Sequence, residues 1–296
     1  MSLLSISKDL QICYPLPQDR WAVADLWQDS FNDSPEYIEL FFNRVYKPEN
    51  TLVIKRSGFI ISALQMIPYQ AKLENKIIPV AYICGACTHP FERGQGLMKK
   101  LVNFAKIEMI DRGFIFSIVI PAEPSLFKFY ENLGFKNYIF HHTIERVFGQ
   151  SFIQETKNKC DYTYEECTLK HFPYFDRKQN ERRRTILHDE YDFETILQEL
   201  NCCGDKAFVA LKNNIPVGIA FVEIISKKKI LIKEIMADNE IVRKNLCNYI
   251  TNVFDIKFDI THRLPLHTNN YEYGLACNLD GKERRLLSFN MSLMHD

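Results

Sequence analysis

Nowhere does this chain hold a run of the ~20 apolar residues that a membrane-spanning helix requires, and its opening, Met1 to Asp9, lacks the basic-then-apolar order of an export signal. No membrane partner is expected. An excess of one charge is also missing, because 37 Lys and Arg balance 37 Asp and Glu. Nucleic-acid domains usually carry a concentrated basic face, so nucleic acid is not an expected partner. Two short basic runs read as solvated surface: Arg182-Arg183-Arg184 inside a helix and Lys227-Lys228-Lys229 between two strands. The nine cysteines are odd in number and follow no regular framework. With no export signal, a reduced, cytoplasmic setting is expected. Cys84-Gly85-Ala86-Cys87 has the spacing of a redox pair. It sits inside a strand pattern, however, away from a helix N-terminus that would lower a thiol's pKa, so small apolar packing is its expected role. Cys84, Cys87 and His89 have no second ligand pair nearby, and Cys202-Cys203 and His141-His142 are adjacent residues, a poor spacing for shared chelation. No metal is expected.

Against these absences stands one informative segment, Thr88-His89-Pro90-Phe91-Glu92-Arg93-Gly94-Gln95-Gly96-Leu97-Met98. An apolar run, Ile77 to Cys87, feeds it. A helical pattern leaves it, with Leu97, Leu101, Phe104 and Glu108 along one side and Met98, Val102, Ala105 and Met109 beside them. A strand that turns tightly into a helix aims free backbone N–H groups at one spot, and the helix dipole adds partial positive charge there. This is an anion seat, and a pyrophosphate is its usual occupant. No Gly-Lys-Ser/Thr follows the glycines, which excludes a Walker loop, and Gly-x-Gly-x-x-Gly is absent, which excludes the dinucleotide fingerprint.

Along the chain, Asp19–Phe31 and Pro35–Tyr46 read as helices, the second with Ser34 or Asp33 as N-cap and Pro35 at the first helical position. Thr51–Arg56, Phe59–Ala71 and Ile77–Thr88 read as strands joined by tight turns at Ser57-Gly58 and Glu74-Asn75. After the long helix, which Gly113 stops, come a strand (Phe114–Ile120), a short helix (Pro124–Leu133, ended by Gly134) and a strand region (Phe135–Phe148). The second half reads as a worn copy of the first. It has a long helix over Gln179–Leu200, strands at Lys206–Leu211, Pro216–Ile225 and Ile230–Met236, and a helix at Asn239–Phe254. Ile256–Ile260, Tyr271–Asn278 and Arg285–Met294 read as further strands. Its turn, Ala237-Asp238-Asn239-Glu240, has no glycine and carries two acids, so an anion would meet negative charge there. The expected boundary is the polar stretch 149–162, giving domains 1–150 and 151–296.

Arg93-x-x-Gly96-x-Met98 resembles the Arg/Gln-x-x-Gly-x-Gly/Ala signature of the GNAT superfamily of acyl-CoA N-acyltransferases, with Met98 in place of the usual small residue. Phe129-Tyr130 with Gly134-Phe135 is similar to that superfamily's Phe-Tyr-x-x-x-Gly-Phe helix end. At whole-chain level the arrangement resembles the tandem-GNAT acetyltransferases of the enhanced-intracellular-survival type, whose last strand is similar to Phe289–Met294, but without their third domain. The resemblance implies an α/β (α+β, mixed-sheet) chain of two GNAT-like units, each a mostly antiparallel sheet flanked by helices. The first would be catalytic and the second unable to bind CoA. It implies that the strands before and after the long helix splay apart and admit the cofactor, with backbone contacts from Ala86, Cys87 and Thr88. That family's C-terminal carboxylate base comes with the missing domain, so no such role passes to Asp296.

The implied reaction is transfer of an acyl group, with acetyl-CoA as cosubstrate, to a small amine or an exposed amino group. Backbone N–H groups of Arg93, Gly94, Gln95, Gly96, Leu97 and Met98 would hold the pyrophosphate, with the Arg93 side chain adding charge. A strand-end N–H near Ala86 to Thr88 would polarise the thioester oxygen, and Tyr130 would protonate the leaving thiolate. A free alkylamine has a pKa near ~10, so a base must take its proton. No acid lies in Ile77–Cys87 to serve. Glu123 could contact substrate or cofactor, or simply begin a helix. His89, His141 and His142 are further candidates, and Asp29, Asp33 and Glu36 either attract a cation or act as helix caps. The alternative function is a non-catalytic CoA-binding sensor or interaction module. The oligomeric state is not readable.

Overall fold

The computed structural model describes residues 4–7, 9–136, 140–147, 162–227, 229–254, 260–265, 271–282 and 289–295. The first sheet is built around a three-strand meander of β3 (Thr51–Arg56), β4 (Phe59–Leu73) and β5 (Lys76–Thr88). Ser57 and Gly58 both take positive φ, which a two-residue hairpin with the twist of its strands demands. Two short strands extend the edge, β1 (Leu4–Ser7) and β2 (Leu10–Cys13), for which the residue pattern carries no signal. On the other side β6 (Phe116–Val119) runs parallel to β5.

Both faces of this sheet are buried, so its strands are nearly continuous apolar runs. Helices α1 (Arg20–Phe31) and α2 (Pro35–Arg44) bring Val23, Trp27 and Phe41 onto Val53, Ala63 and Ile67. Helix α3 (Leu97–Asp111) packs Leu101, Val102 and Ala105 onto Leu52, Leu64 and Met66 of the opposite face. Ser34 is the N-cap of α2, its Oγ accepting from the Tyr37 amide at 3.2 Å. The short helix α4 (Pro124–Glu131) follows β6.

The second half departs from the predicted single helix over 179–200. It forms α5 (Phe172–Glu181), then strand β9 (Arg184–Leu187), then α6 (Glu190–Cys203). The interruption has a non-local cause: β9 pairs antiparallel with the end of β4, Ile186 opposite Ala71. Asp189 then restarts the helix with a capping box, its carboxylate accepting from the Asp192 amide at 2.8 Å. Of the arginine run only Arg183 is solvated surface, its side chain 83% exposed. Arg182 makes a bidentate pair with the buried Glu234 at 2.8 and 2.9 Å, and Arg183 and Arg184 both bind Glu74. Strands β8 (Tyr162–Glu166), β10 (Lys206–Lys212), β11 (Ile215–Ser226), β12 (Lys229–Ala237) and β13 (Ile260–Pro265) make the second sheet, covered by α7 (Glu240–Val253) on one face and α5 and α6 on the other.

The halves exchange strands. Strand β7 (Phe140–Val147), from the first half, pairs with β13 in the second sheet. Strand β14 (Tyr271–Asn278), from the second half, pairs with β6 through Leu275–Asn278 and with β7 through its earlier residues. One strand path therefore runs through both sheets. Apart from Tyr162, the expected boundary at 149–162 lies outside the described residues. The closing strand predicted over Arg285–Met294 is reduced, in its described part, to one parallel bridge between Thr185 and Asn290. Phe289, Met291 and Met294 bury against the first half and Leu293 against the second. No helix of the described residues is long and apolar enough to cross a membrane.

Candidate active site

The glycine turn is open. Gly94 and Gly96 take φ of 79° and 71°, where a β-carbon costs roughly 1–2 kcal/mol, and beyond the adjoining backbone no atom of the described residues lies within 4 Å of the position a β-carbon would fill at either. Gly96 is the N-cap of α3 and has no side chain to cap it, so the first turn of the helix receives no side-chain acceptor from that position. Around the turn, the Arg93 side chain is exposed and its Nε donates to the Thr88 carbonyl at 3.0 Å. Gln95 is held by Arg56 and Glu92. Leu97 is buried, and Met98 packs half-buried into the cluster beneath α3.

Upstream of the turn, Gly85 and Ala86 of β5 face the single residue Leu64 of β4, a β-bulge. Pairing between β5 and β6 ends at Ile83 and Val119, so the parallel strands part where the bulge begins. Gly85 has φ of 57°, and a β-carbon there would lie 2.2 Å from Cζ3 of Trp27, so only glycine allows the indole this approach. Beside it, the amide of the buried Gln65 has no hydrogen-bond partner at either atom among the described residues.

A pocket of about 650 Å³ opens at this parting. Ile83 to Ala86, Val119, Ile120 and Ala122 form one part of its wall, with Leu126 and Tyr130 of α4. Trp27, Phe31, Tyr37 and Tyr82 give it an aromatic side, and Asp33 and Glu36 bring carboxylates. Asp33 accepts from Trp27 Nε1 at 2.7 Å, and Glu36 is exposed in the first turn of α2. Cys202, Cys203 and His295 of the second half complete the lining.

Of the sequence-predicted residues, the structure brings Ala86, Tyr130, Asp33 and Glu36 to this pocket. Tyr130 is buried between Phe129 and Phe135, and desolvation, reinforced by Cys84, holds its phenol well above the ordinary value and therefore protonated. Cys87 is buried beyond the bulge with its thiol pushed up to about 12, which fits packing and not thiolate chemistry. Thr88 shares a hydrogen bond with Ser62. Glu123 is an exposed N-cap of α4 whose carboxylate meets Ser125 Oγ at 3.3 Å, and it is not part of the pocket lining. His89 packs its ring against Phe91 outside the pocket, and His141 and His142 lie on β7 between β13 and β14. Asp29 is exposed on α1. Sequence reasoning missed Trp27, Gly85, Gln65, Tyr82 and His295. A glycine inside an otherwise apolar strand was the one local sign of the bulge.

The acetyltransferase (GNAT) domain model covers residues 17–137, from the approach to α1 through the end of α4. Residues 17–137 are thus similar to a GNAT acetyltransferase domain. Solved structures extend the likeness of fold beyond that domain, to 91–92% of the chain. A probable N-acyltransferase from Enterococcus faecalis superposes with a TM-score of 0.75 at 12% identity, covering 92% of this chain and 73% of that one. A GCN5-related N-acetyltransferase from Anabaena variabilis gives 0.72 at 14% identity, covering 91% and 73%. Eis1 from Mycobacterium abscessus, at 0.67 and 10% identity, covers 91% and 74%. At these identities the likeness is one of fold. No curated protein sequence matches the chain.

Proposed function

We propose that this protein is an acetyl-CoA-dependent N-acetyltransferase acting on a small amine or an exposed amino group. The observation that supports it most is a coincidence in space. The bulge where β5 and β6 part and the buried Tyr130 line one pocket, and β5 runs on from that bulge into the uncapped turn at Gly96. In this reading the amides of Arg93 to Met98 hold the pyrophosphate, each helix-end contact contributing roughly 0.3–2 kcal/mol. The pantetheine follows the parting of the strands past Thr88, Cys87 and Ala86. A backbone N–H at the bulge polarises the thioester oxygen, and the protonated Tyr130 supplies the leaving sulfur. Asp33, Glu36 and the aromatic side of the pocket suit a cationic amine carrying an apolar group.

Turnover decides it. Acetyl-CoA is incubated with a panel of small amines while free thiol is followed, and CoA binding is titrated in parallel. Saturable, amine-dependent thiol release is expected. CoA binding with no thiol release from any amine would leave a binding module and reject the enzyme.

A further inference from the structure

The pocket contains a histidine that no local pattern marks. His295 reaches it from the end of the described chain, and its Nδ1 lies 2.5 Å from Glu199 Oε1 on α6. The two side chains are only 5% and 13% exposed. With Glu199 accepting from Nδ1–H, the tautomer is fixed and the basic lone pair lies on Nε2. The backbone is anchored as well. Tyr82 Oη donates to the His295 carbonyl at 3.2 Å, and Cys84 Sγ approaches the same oxygen at 3.7 Å, both from the stretch of β5 just before the Gly85 bulge. The edge of Phe41 confines the ring, with centroids 5.4 Å apart.

We infer that His295, oriented by Glu199, is the general base that takes the proton from the acceptor's ammonium group. This rests on the transferase reading above. Among the described pocket residues His295 carries the only imidazole. The pocket's carboxylates are less suited to proton abstraction, because Asp33 is engaged by the Trp27 indole and Glu36 stands at the exposed start of α2. In the proposed step R–NH3+ gives one proton to Nε2 of His295, which later releases it to solvent. The freed amine pair attacks the thioester carbon, forming the C–N bond, and the carbonyl π pair moves to oxygen. When that pair returns, the C–S bond breaks. The sulfur takes the Tyr130 proton, and the remaining surplus proton on nitrogen restores the phenol. The products are the amide, free CoA thiol and one proton. His295 would be catalytic because it touches the amine, and Glu199 would be a positioning residue acting through it.

The experiment compares two acceptors at pH 7. One is a strongly basic alkylamine, almost wholly protonated, and the other is an arylamine that is already neutral. His295→Ala should lose about 10²–10⁴-fold in kcat with the alkylamine and less than about tenfold with the arylamine, with CoA affinity unchanged. Added imidazole should restore part of the alkylamine rate. Glu199→Gln should show the same bias between acceptors, losing about tenfold or more with the alkylamine. If His295→Ala fails to bind CoA or to fold, Glu199→Gln carries the two-acceptor comparison alone. Alkylamine turnover within about twofold of wild type in His295→Ala overturns the assignment. So does an equal loss with both acceptors and no response to imidazole, which would mark a structural role. A wild type that releases no thiol with either amine overturns the transferase reading itself, and the base with it.

Discussion

In the first half β5 enters α3 through Gly94 and Gly96; in the second, β12 enters α7 through Asp238 and Asn239. The topology is shared, yet the turns are chemically opposite. Asn239 Oδ1 accepts from the Val242 amide at 3.0 Å, occupying a helix-end donor that Gly96 leaves without a side-chain cap. Glu240 adds negative charge to the first turn and pairs with Arg243, while Asp238 meets Arg177 and Tyr174. The strands differ in the same sense. The carboxylate missing from the Ile77–Cys87 stretch of β5 has a counterpart on β12, Glu234, and it is locked to Arg182 and Ser292. The same secondary structure thus leaves a helix start open to a ligand in one half and closes it with side chains in the other.

This contrast breaks first at Gly96. Gly96→Glu should raise the CoA dissociation constant at least about a hundredfold, since the new carboxylate would fill the anion seat, while the fold survives a strain of roughly 1–2 kcal/mol. An unchanged calorimetric titration would remove the cradle. On the closed side, Arg182→Ala strips Glu234 of its cation and should cost about 3–5 kcal/mol of stability, read as a lower denaturation midpoint. A shift under about 1 kcal/mol would mean that the pair matters little to the second half. Tyr130→Phe should lower turnover about a hundredfold or more while CoA affinity stays within about twofold; equal rates would assign the tyrosine to packing. The smallest effect belongs to Asn239→Ala. It should cost about 1 kcal/mol and leave CoA binding at one per chain. A second bound CoA lost in this variant would show that the closed turn had been a site after all.

Much of the first half was legible because its determinants are local. Ser57-Gly58 announced a hairpin, Pro35 after Ser34 a helix start, and Gly94 and Gly96 a tight turn into α3. What failed was non-local. Arg184-Thr185-Ile186-Leu187 carries no strong strand signal and became a strand because the end of β4 offered it an edge. The exchange of β7 and β14 has no local mark, since nothing in either segment names a partner that lies more than a hundred residues away. The same holds for the pocket. Its floor was visible at Ala86 and its tyrosine at Tyr130, but Glu199 and His295 meet only after α6 packs on α2 and the last segment threads between the halves.

The strand exchange also governs how the protein can be made and cut. During synthesis the first sheet waits for residues 275–278 before β6 gains its outer neighbour, so the ribosome must translate far beyond the first half before that edge closes. Until then β6 exposes a row of unpaired backbone groups to other strands. A fragment ending near residue 150 would keep the glycine turn and Tyr130 yet carry that raw edge, and β7 would lack both of its partners.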